Sequence, residues 1–238
     1  MDSRFRLGDV VVTMTRKDIK HVHLTVHPPN GRVSLVAPTA TRPEVARAYA
    51  ISKLGWIREQ QRRLRGQARE PKRAFVTRES HYVWGRRYLL QVAEANAKPS
   101  VRLSHRKLTL TVRPGSTEAK RAEVIHDWHK ALLHEAVPPL IRKWEPKLGV
   151  LVTAYFLQRM KTKWGSCNHG AGHIRLNTEL VKKPKDLLEY VIVHEMLHLL
   201  ESTHSERFVA LLNRRYPGWR EARQVLNELS LGADTWQE

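Results

Sequence analysis

Three histidines and one glutamate near the C-terminal end of the chain have types and spacing suited to metal-assisted hydrolysis. His194 and His198 are four residues apart, so on a helix both project from one face and can bind a single Zn²⁺. Glu195 lies beside them and can take a proton from zinc-bound water. This H-E-x-x-H spacing predicts one zinc ion per chain, with Glu195 as the general base.

A catalytic zinc site needs a third protein ligand, and His204 is placed to supply it. His204 is too far along to share the helix face of His198, so the chain must first leave the helix. Residues 203–206 resemble a capping box, which would end the first helix near Glu201 and turn His204 back toward the metal. The metzincin signature has glycine at the position of Glu201, so that class is excluded.

The segment around this motif predicts a buried helix. Almost every position from 187 to 200 is apolar, apart from Glu189, His194, Glu195 and His198. Burying three polar groups without partners would cost several kcal/mol, on the order of 1–3 kcal/mol each. A metal ion that binds the imidazoles would offset this cost.

At these residues the sequence resembles the YgjP-like metallopeptidase family, which is related to the SprT-like and WLM proteases. The resemblance is carried by residues 161–167 (KTKWGSC), 174–177 (IRLN), 190–198 (YVIVHEMLH) and 204–208 (HSERF), and it is looser upstream, near residues 56–57 and 85–90. It implies a small zincin fold in which His194, His198 and His204 bind zinc and Glu195 is the general base. The resemblance implies which residues form the site, but it does not identify the biological substrate.

Two further residues are candidates for substrate binding. Trp164 precedes a loop and is expected to line the pocket, and Arg207 is a candidate for stabilising the transition-state oxyanion. Residues 154–164 are expected to form the strand that borders the cleft, where an extended peptide could add as another strand. Cys167, His169 and His173 match no standard zinc-site spacing, so no second metal site is predicted.

Charge is distributed unevenly along the chain. Residues 1–113 carry 24 basic and 8 acidic side chains, a balance of +16, whereas residues 114–238 have a balance of +3 within a total of +19. Such asymmetry is typical of proteins with an anionic partner, so nucleic acid is a plausible partner of the N-terminal half, besides a protein or peptide substrate. Arg58, Arg62 and Arg65 share a helix face near Trp56 and are the expected phosphate contacts.

The expected fold class is α+β: a basic, strand-rich module with one helix over residues 1–113, followed by a zincin-like catalytic domain over 114–238. No internal repeat is visible. A helix is expected over 43–65, and a long one over 117–147 that Pro138 and Pro139 kink or divide. Residues 154–163 and 173–177 are expected to pair as a hairpin around the loop at 168–172.

Composition indicates a cytoplasmic protein. No apolar run is long enough to cross a bilayer, the first residues lack an apolar leader, and the single cysteine cannot form an intrachain disulfide. No membrane partner is expected, and the oligomeric state stays open. Two alternatives to a peptidase remain: a zinc-dependent phosphohydrolase acting on nucleotides, and a non-enzymatic nucleic-acid-binding protein with a structural zinc.

Overall fold

The computed structural model describes residues 3–27, 31–66, 73–160 and 163–228. The chain divides into two compact units, Met1–Arg69 and Glu70–Asp234. Within the described residues, no helix is both long enough and apolar enough to span a bilayer. The helices and mixed sheets together make an α+β protein, as expected.

The first unit is a four-stranded mixed sheet covered by two helices. Its strands are β1 (Ser3–Leu7), β2 (Val10–Lys17), β3 (His23–His27) and β4 (Arg32–Pro38), in the spatial order β1-β2-β4-β3 with β2 and β4 parallel. Alternate residues of β2 and β4 are buried, since side chains point to opposite faces of a strand. They pack on α1 (Pro43–Ser52) and α2 (Leu54–Gly66). The expected single helix is therefore two helices that break at Lys53.

The second unit begins with a sheet of the same topology. Strands β5 (Ser80–Val83), β6 (Arg86–Glu94), β7 (Ser100–Ser104) and β8 (Lys107–Val112) take the order β5-β6-β8-β7, again with the second and fourth strands parallel and a helix following. The strand order and pairing of the first unit thus recur, although no repeat is evident in the sequence. Strand topology depends on buried alternation and turns, which many different residues satisfy.

The helix that follows is α3 (Glu118–Leu148), which links this sheet to the rest of the second unit. Its N-terminal part packs on β8 through Ile125, and Leu133, Val137 and Ile141 join a second hydrophobic cluster. The boundary expected at 113/114 therefore lies inside the second unit, because β8 and α3 share one core. Pro138 and Pro139 do not divide α3, since buried residues continue on one face across them.

The remaining elements form a three-stranded sheet, a 3-10 helix and three α-helices. They are β9 (Ala154–Gln158), β10 (Gly165–Asn168), β11 (His173–Asn177), a 3-10 helix (Thr178–Lys182), α4 (Lys185–Leu197), α5 (Glu206–Arg215) and α6 (Trp219–Glu228). The strand order is β10-β11-β9. The hairpin partner of β11 is β10, not the 154–163 segment, because β9 pairs with β11 in parallel. The α4 helix is buried against this sheet, as its apolar sequence predicts.

Candidate metal centre and cleft

The three predicted histidine ligands meet at the end of α4. His194 lies in the last turn of this helix, His198 ends it, and His204 comes from the loop before α5. One donor atom from each lies within 4.8 Å of the others, and the Nε2 atoms of His194 and His204 are 3.0 Å apart. Among the described residues, these three histidines are the group of His, Cys, Asp or Glu side chains that could hold a metal ion.

The loop that returns His204 is held at both ends. Backbone N–H groups of residues 199–201 bond to carbonyl groups of Met196 and Leu197, which closes α4. The cap of α5 is Ser205, whose Oγ accepts from Phe208 N at 3.3 Å. The predicted capping residue, Thr203, instead donates to Glu201 Oε1 at 3.0 Å. The helix does end and restart around His204, but the cap lies two residues later than predicted.

Neighbouring groups orient the imidazoles. His198 Nδ1 lies 3.0 Å from the carbonyl oxygen of Glu201, which leaves its Nε2 for a metal ion. The buried Phe208 ring stacks on His198 at 4.5 Å and meets His194 and His204 edge-on at 5.0 and 4.9 Å. One aromatic ring of α5 therefore contacts all three histidines and restricts their rotation. Sequence reasoning did not identify this role.

Burial shifts the ionisable groups of the site toward their neutral forms. It raises the pKa of Glu195 to about 8, with a smaller opposing effect from Lys163. It lowers the pKa of His194 to about 3, helped by the charges of His198, His204 and Arg223. The pKa of His204 is also lowered, mainly by burial. Neutral imidazoles present the free lone pairs that a metal ion requires.

Gly165 is the close neighbour of the Glu195 carboxylate. A Cβ atom placed on Gly165 would lie 2.5 Å from Glu195 Oε1 and 2.7 Å from its Cγ. The first residue of β10 must therefore lack a side chain if Glu195 is to keep its position. The sequence motif around Trp164 contains this glycine, but its contact with Glu195 is visible only in the folded chain.

The candidate metal centre opens into a cleft of about 1090 Å³. Its walls are the three histidines and Glu195, the β10 strand, and the face of α6 that carries Trp219 and Arg223. The strand that borders the cleft is therefore β10; of the predicted 154–164 segment, Lys163 and Trp164 belong to the described lining and the residues of β9 do not. Within the described part of the sheet β10 pairs with β11 alone, so its other edge lies toward the cleft residues rather than a third strand.

Of the other candidate residues, Trp164 and Cys167 belong to the described lining of the cleft and Arg207 does not. Trp164 does line the cleft, half-buried, with Lys183 Nζ 5.5 Å from its ring. Arg207 lies outside the described lining, exposed, and 4.0 Å from Glu201 Oε2. Cys167 lines the cleft but is not part of the donor group, and burial raises the pKa of its thiol to about 11. The lining arginine is Arg223, which sequence reasoning missed although it lies four residues after an apolar Trp219.

Comparison with known proteins assigns the family. No curated protein matches the sequence. Among solved structures, the chain is similar to the metallopeptidase zymogen abylysin of Pyrococcus abyssi, with 20% identity and a TM-score of 0.36 over 40% of this chain and 95% of that one. The YgjP-like family, described as a metallopeptidase domain, matches residues 20–229. This match covers most of the chain, and the protein therefore belongs to the YgjP-like metallopeptidase family.

Proposed function

We propose that this metallopeptidase is a zinc enzyme in which His194, His198 and His204 bind one zinc ion and Glu195 is the general base. The observation that carries the proposal is the convergence of three imidazole donors within 4.8 Å beside a buried carboxylate. Three protein ligands with an open side are typical of catalytic zinc.

The residues of the site fit a zinc ion. Imidazole nitrogen is a preferred zinc donor, and the lowered pKa values of His194 and His204 keep these rings neutral at pH 7. The Nε2 atoms of His194 and His204 lie 3.0 Å apart and face each other, as two donors to one metal ion do. A structural zinc would need a fourth protein ligand, and Cys167 does not join the donor group.

The proposed reaction is hydrolysis by water without a covalent intermediate. A bound zinc ion supplies Lewis acidity, which polarises the scissile carbonyl and makes water more acidic. Glu195 accepts a proton from the attacking water and delivers it to the leaving amine nitrogen as the carbon–nitrogen bond breaks. Burial raises the pKa of this carboxyl group in the metal-free site, which brings proton gain and loss closer to neutral pH.

The cleft supports an extended peptide as the substrate. The β10 strand lies along one wall, and a peptide can add to such a strand edge through main-chain hydrogen bonds. Trp164, at the start of this wall, offers an apolar contact for a substrate side chain. Main-chain pairing would hold the scissile bond near Glu195 with little dependence on sequence. The cytoplasmic location remains a prediction from the single cysteine.

The test compares the wild type with Glu195→Gln and a control. Purified proteins are analysed for metal content and assayed on unstructured peptides, a denatured-protein panel and nucleoside triphosphates. We expect one zinc per chain in each protein, and peptide cleavage that falls by about 10²–10⁴ in Glu195→Gln because an amide cannot accept the proton. The matched control, Glu206→Gln, removes an exposed carboxylate from the first turn of α5 and should keep its rate.

Three outcomes would contradict the proposal. Near-normal peptide cleavage by Glu195→Gln would mean that another group acts as the base. Hydrolysis of triphosphates without peptide cleavage would favour the phosphohydrolase alternative. Zinc binding with neither activity, together with binding of nucleic acid, would favour a structural metal.

A further inference from the structure

One face of α6 forms a wall of the cleft. Trp219 and Leu226 on this face are buried in the core, and Arg223 lies between them, four residues after the first and three before the second. Residues at these spacings share a helix face. The two apolar side chains therefore anchor the face, and they hold Arg223 at the cleft wall with His194 and His204.

Arg223 lines the same described part of the cleft as His194, Glu195 and His204. Its side chain is exposed, so a ligand in the cleft can reach its guanidinium group.

Arg223 also differs from its neighbour on the same helix. Arg220 donates to Asn213 Oδ1 at 2.9 Å and lies over the Trp219 ring at 4.6 Å. Within the described ranges, Arg223 has no hydrogen bond or ion pair to an acidic side chain. The described lining holds a second cation, Lys163, and a single carboxylate, that of Glu195. The cleft thus has an excess of positive charge even without a metal ion.

Building on the proposed peptidase function, we propose that Arg223 selects substrates by binding a carboxylate of the peptide close to the scissile bond. A guanidinium group binds a carboxylate through two parallel hydrogen bonds, and a partly enclosed site strengthens them. The carboxylate is either an acidic side chain or the C-terminal group of the peptide. Both sources present the same carboxylate group, so peptides that carry only one of the two distinguish them.

The first test is kinetic and uses three sequence-matched fluorogenic peptides. One is neutral with a C-terminal amide, one carries glutamate beside the scissile bond with the amide kept, and one is neutral with a free C-terminal carboxylate. For Arg223→Gln we expect KM to rise about tenfold on the carboxylate-bearing peptide that the wild type prefers, which corresponds to about 1.4 kcal/mol. The rate on the neutral amide should change little.

Two further variants sharpen this test. Arg223→Lys keeps the charge without the planar fork, and it should give an intermediate KM. Arg214→Gln removes an exposed arginine of α5 that does not line the described cleft, and it should leave all peptides unaffected. An equal loss of kcat on every peptide would overturn the proposal, because it would indicate transition-state stabilisation or a structural role. Unchanged kinetics in Arg223→Gln would overturn it as well.

The second test measures binding and does not depend on turnover. Zinc-loaded Glu195→Gln is titrated against the same labelled peptides by fluorescence anisotropy, with and without Arg223→Gln. We expect the second substitution to weaken binding of the preferred carboxylate peptide about tenfold and to leave the neutral amide unchanged. If the wild type cleaves no peptide, the proposed function fails while this assay still tests Arg223. Equal affinity for carboxylate and neutral peptides would then overturn the selection proposed here.

Discussion

Burial moves the pKa values of the site residues in opposite directions and favours the neutral form of each. It raises the pKa of Glu195 and lowers the pKa of His194, because in both cases the charged form loses hydration. A buried carboxyl group with a raised pKa is suited to exchange protons near neutral pH, and a neutral imidazole is suited to bind a metal ion. One apolar helix thus prepares two different functional groups.

His204 is the proposed ligand that comes from the loop, and its removal tests the donor set. We expect His204→Ala to weaken zinc binding by at least tenfold and to abolish peptide cleavage, because two imidazoles remain for the metal. Competition with a chromophoric chelator measures the affinity. The control is His169→Ala, since His169 lines the cleft outside the donor group. Wild-type affinity in His204→Ala would show that the third ligand is a different residue.

Gly165 provides a test of the position of Glu195. We expect Gly165→Ala to keep the fold and bind zinc, because the new Cβ would meet side-chain atoms of Glu195 rather than backbone. The displaced carboxylate should reduce kcat by about 10²-fold. A suitable control is Gly55→Ala, where no atom lies within 4 Å of the added Cβ. It should gain about 0.5–1 kcal/mol of stability within a helix. Full activity in Gly165→Ala would contradict the close approach.

At the scale of the elements, α3 contacts the 3-10 helix and β5 through a buried polar group of residues. His129 of α3 is 5% exposed, and His81 of β5 is 2% exposed. Close to them Lys182 Nζ lies 2.6 Å from Glu179 Oε2, an ion pair in which both side chains are 8% exposed. Burial, with the charges of Lys182 and His81 next in size, holds the pKa of His129 well below 6.5.

This arrangement predicts a pH-dependent stability. The folded-state pKa of His129 is below the unfolded value of about 6.5, so its contribution is complete above pH 6.5 and is lost as the pH falls below that value. For one such group, each pH unit below that value lowers the free energy of unfolding by about 1.4 kcal/mol. In urea unfolding of the metal-free protein between pH 7.5 and 5.5, His129→Leu should therefore lose about 1.4 kcal/mol less than the wild type. An identical loss in both proteins would show that His129 is protonated in the folded state.

At the scale of the whole molecule, the positive charge lies mostly in the first unit and the first sheet of the second. The expected phosphate contacts of α2 already have acidic partners: Arg58 Nη2 lies 2.8 Å from Asp9 Oδ1, and Arg62 Nη1 lies 2.9 Å from Glu59 Oε2. Both pairs are exposed, so each contributes little stability and a phosphate can compete for the arginine. The side chain of Arg65 lies outside the described residues.

A salt titration tests the proposed nucleic-acid partner. If this surface binds duplex DNA, the logarithm of affinity should fall with the logarithm of salt concentration by about 0.9 for each phosphate contact. Reversing Arg58, Arg62 and Arg65 to glutamate should flatten this slope and leave zinc content unchanged. The same charge reversal at Arg207, Arg214 and Arg215 of α5 is the control and should alter the slope less. A shallow slope in the wild type would reduce the charge to a solubility feature.

The sequence alone was sufficient for the parts of the protein that depend on local spacing. The buried helix, its paired histidines and the position of His204 after the helix follow from residues within about ten positions of one another, and helical periodicity makes such spacing informative. The family resemblance, confirmed by the match over residues 20–229, rests on the same local segments.

Other features were decided only by the tertiary structure. The pairing of β11 with β10, the repeated sheet topology and the boundary between the units depend on contacts between distant parts of the chain. The approach of Gly165 to Glu195 and the place of Arg223 in the cleft have the same origin. Side-chain periodicity specifies which face of an element is buried, but it does not specify which other element covers that face. Packing of the whole second unit determines which elements meet, and it places the cleft wall around the histidines.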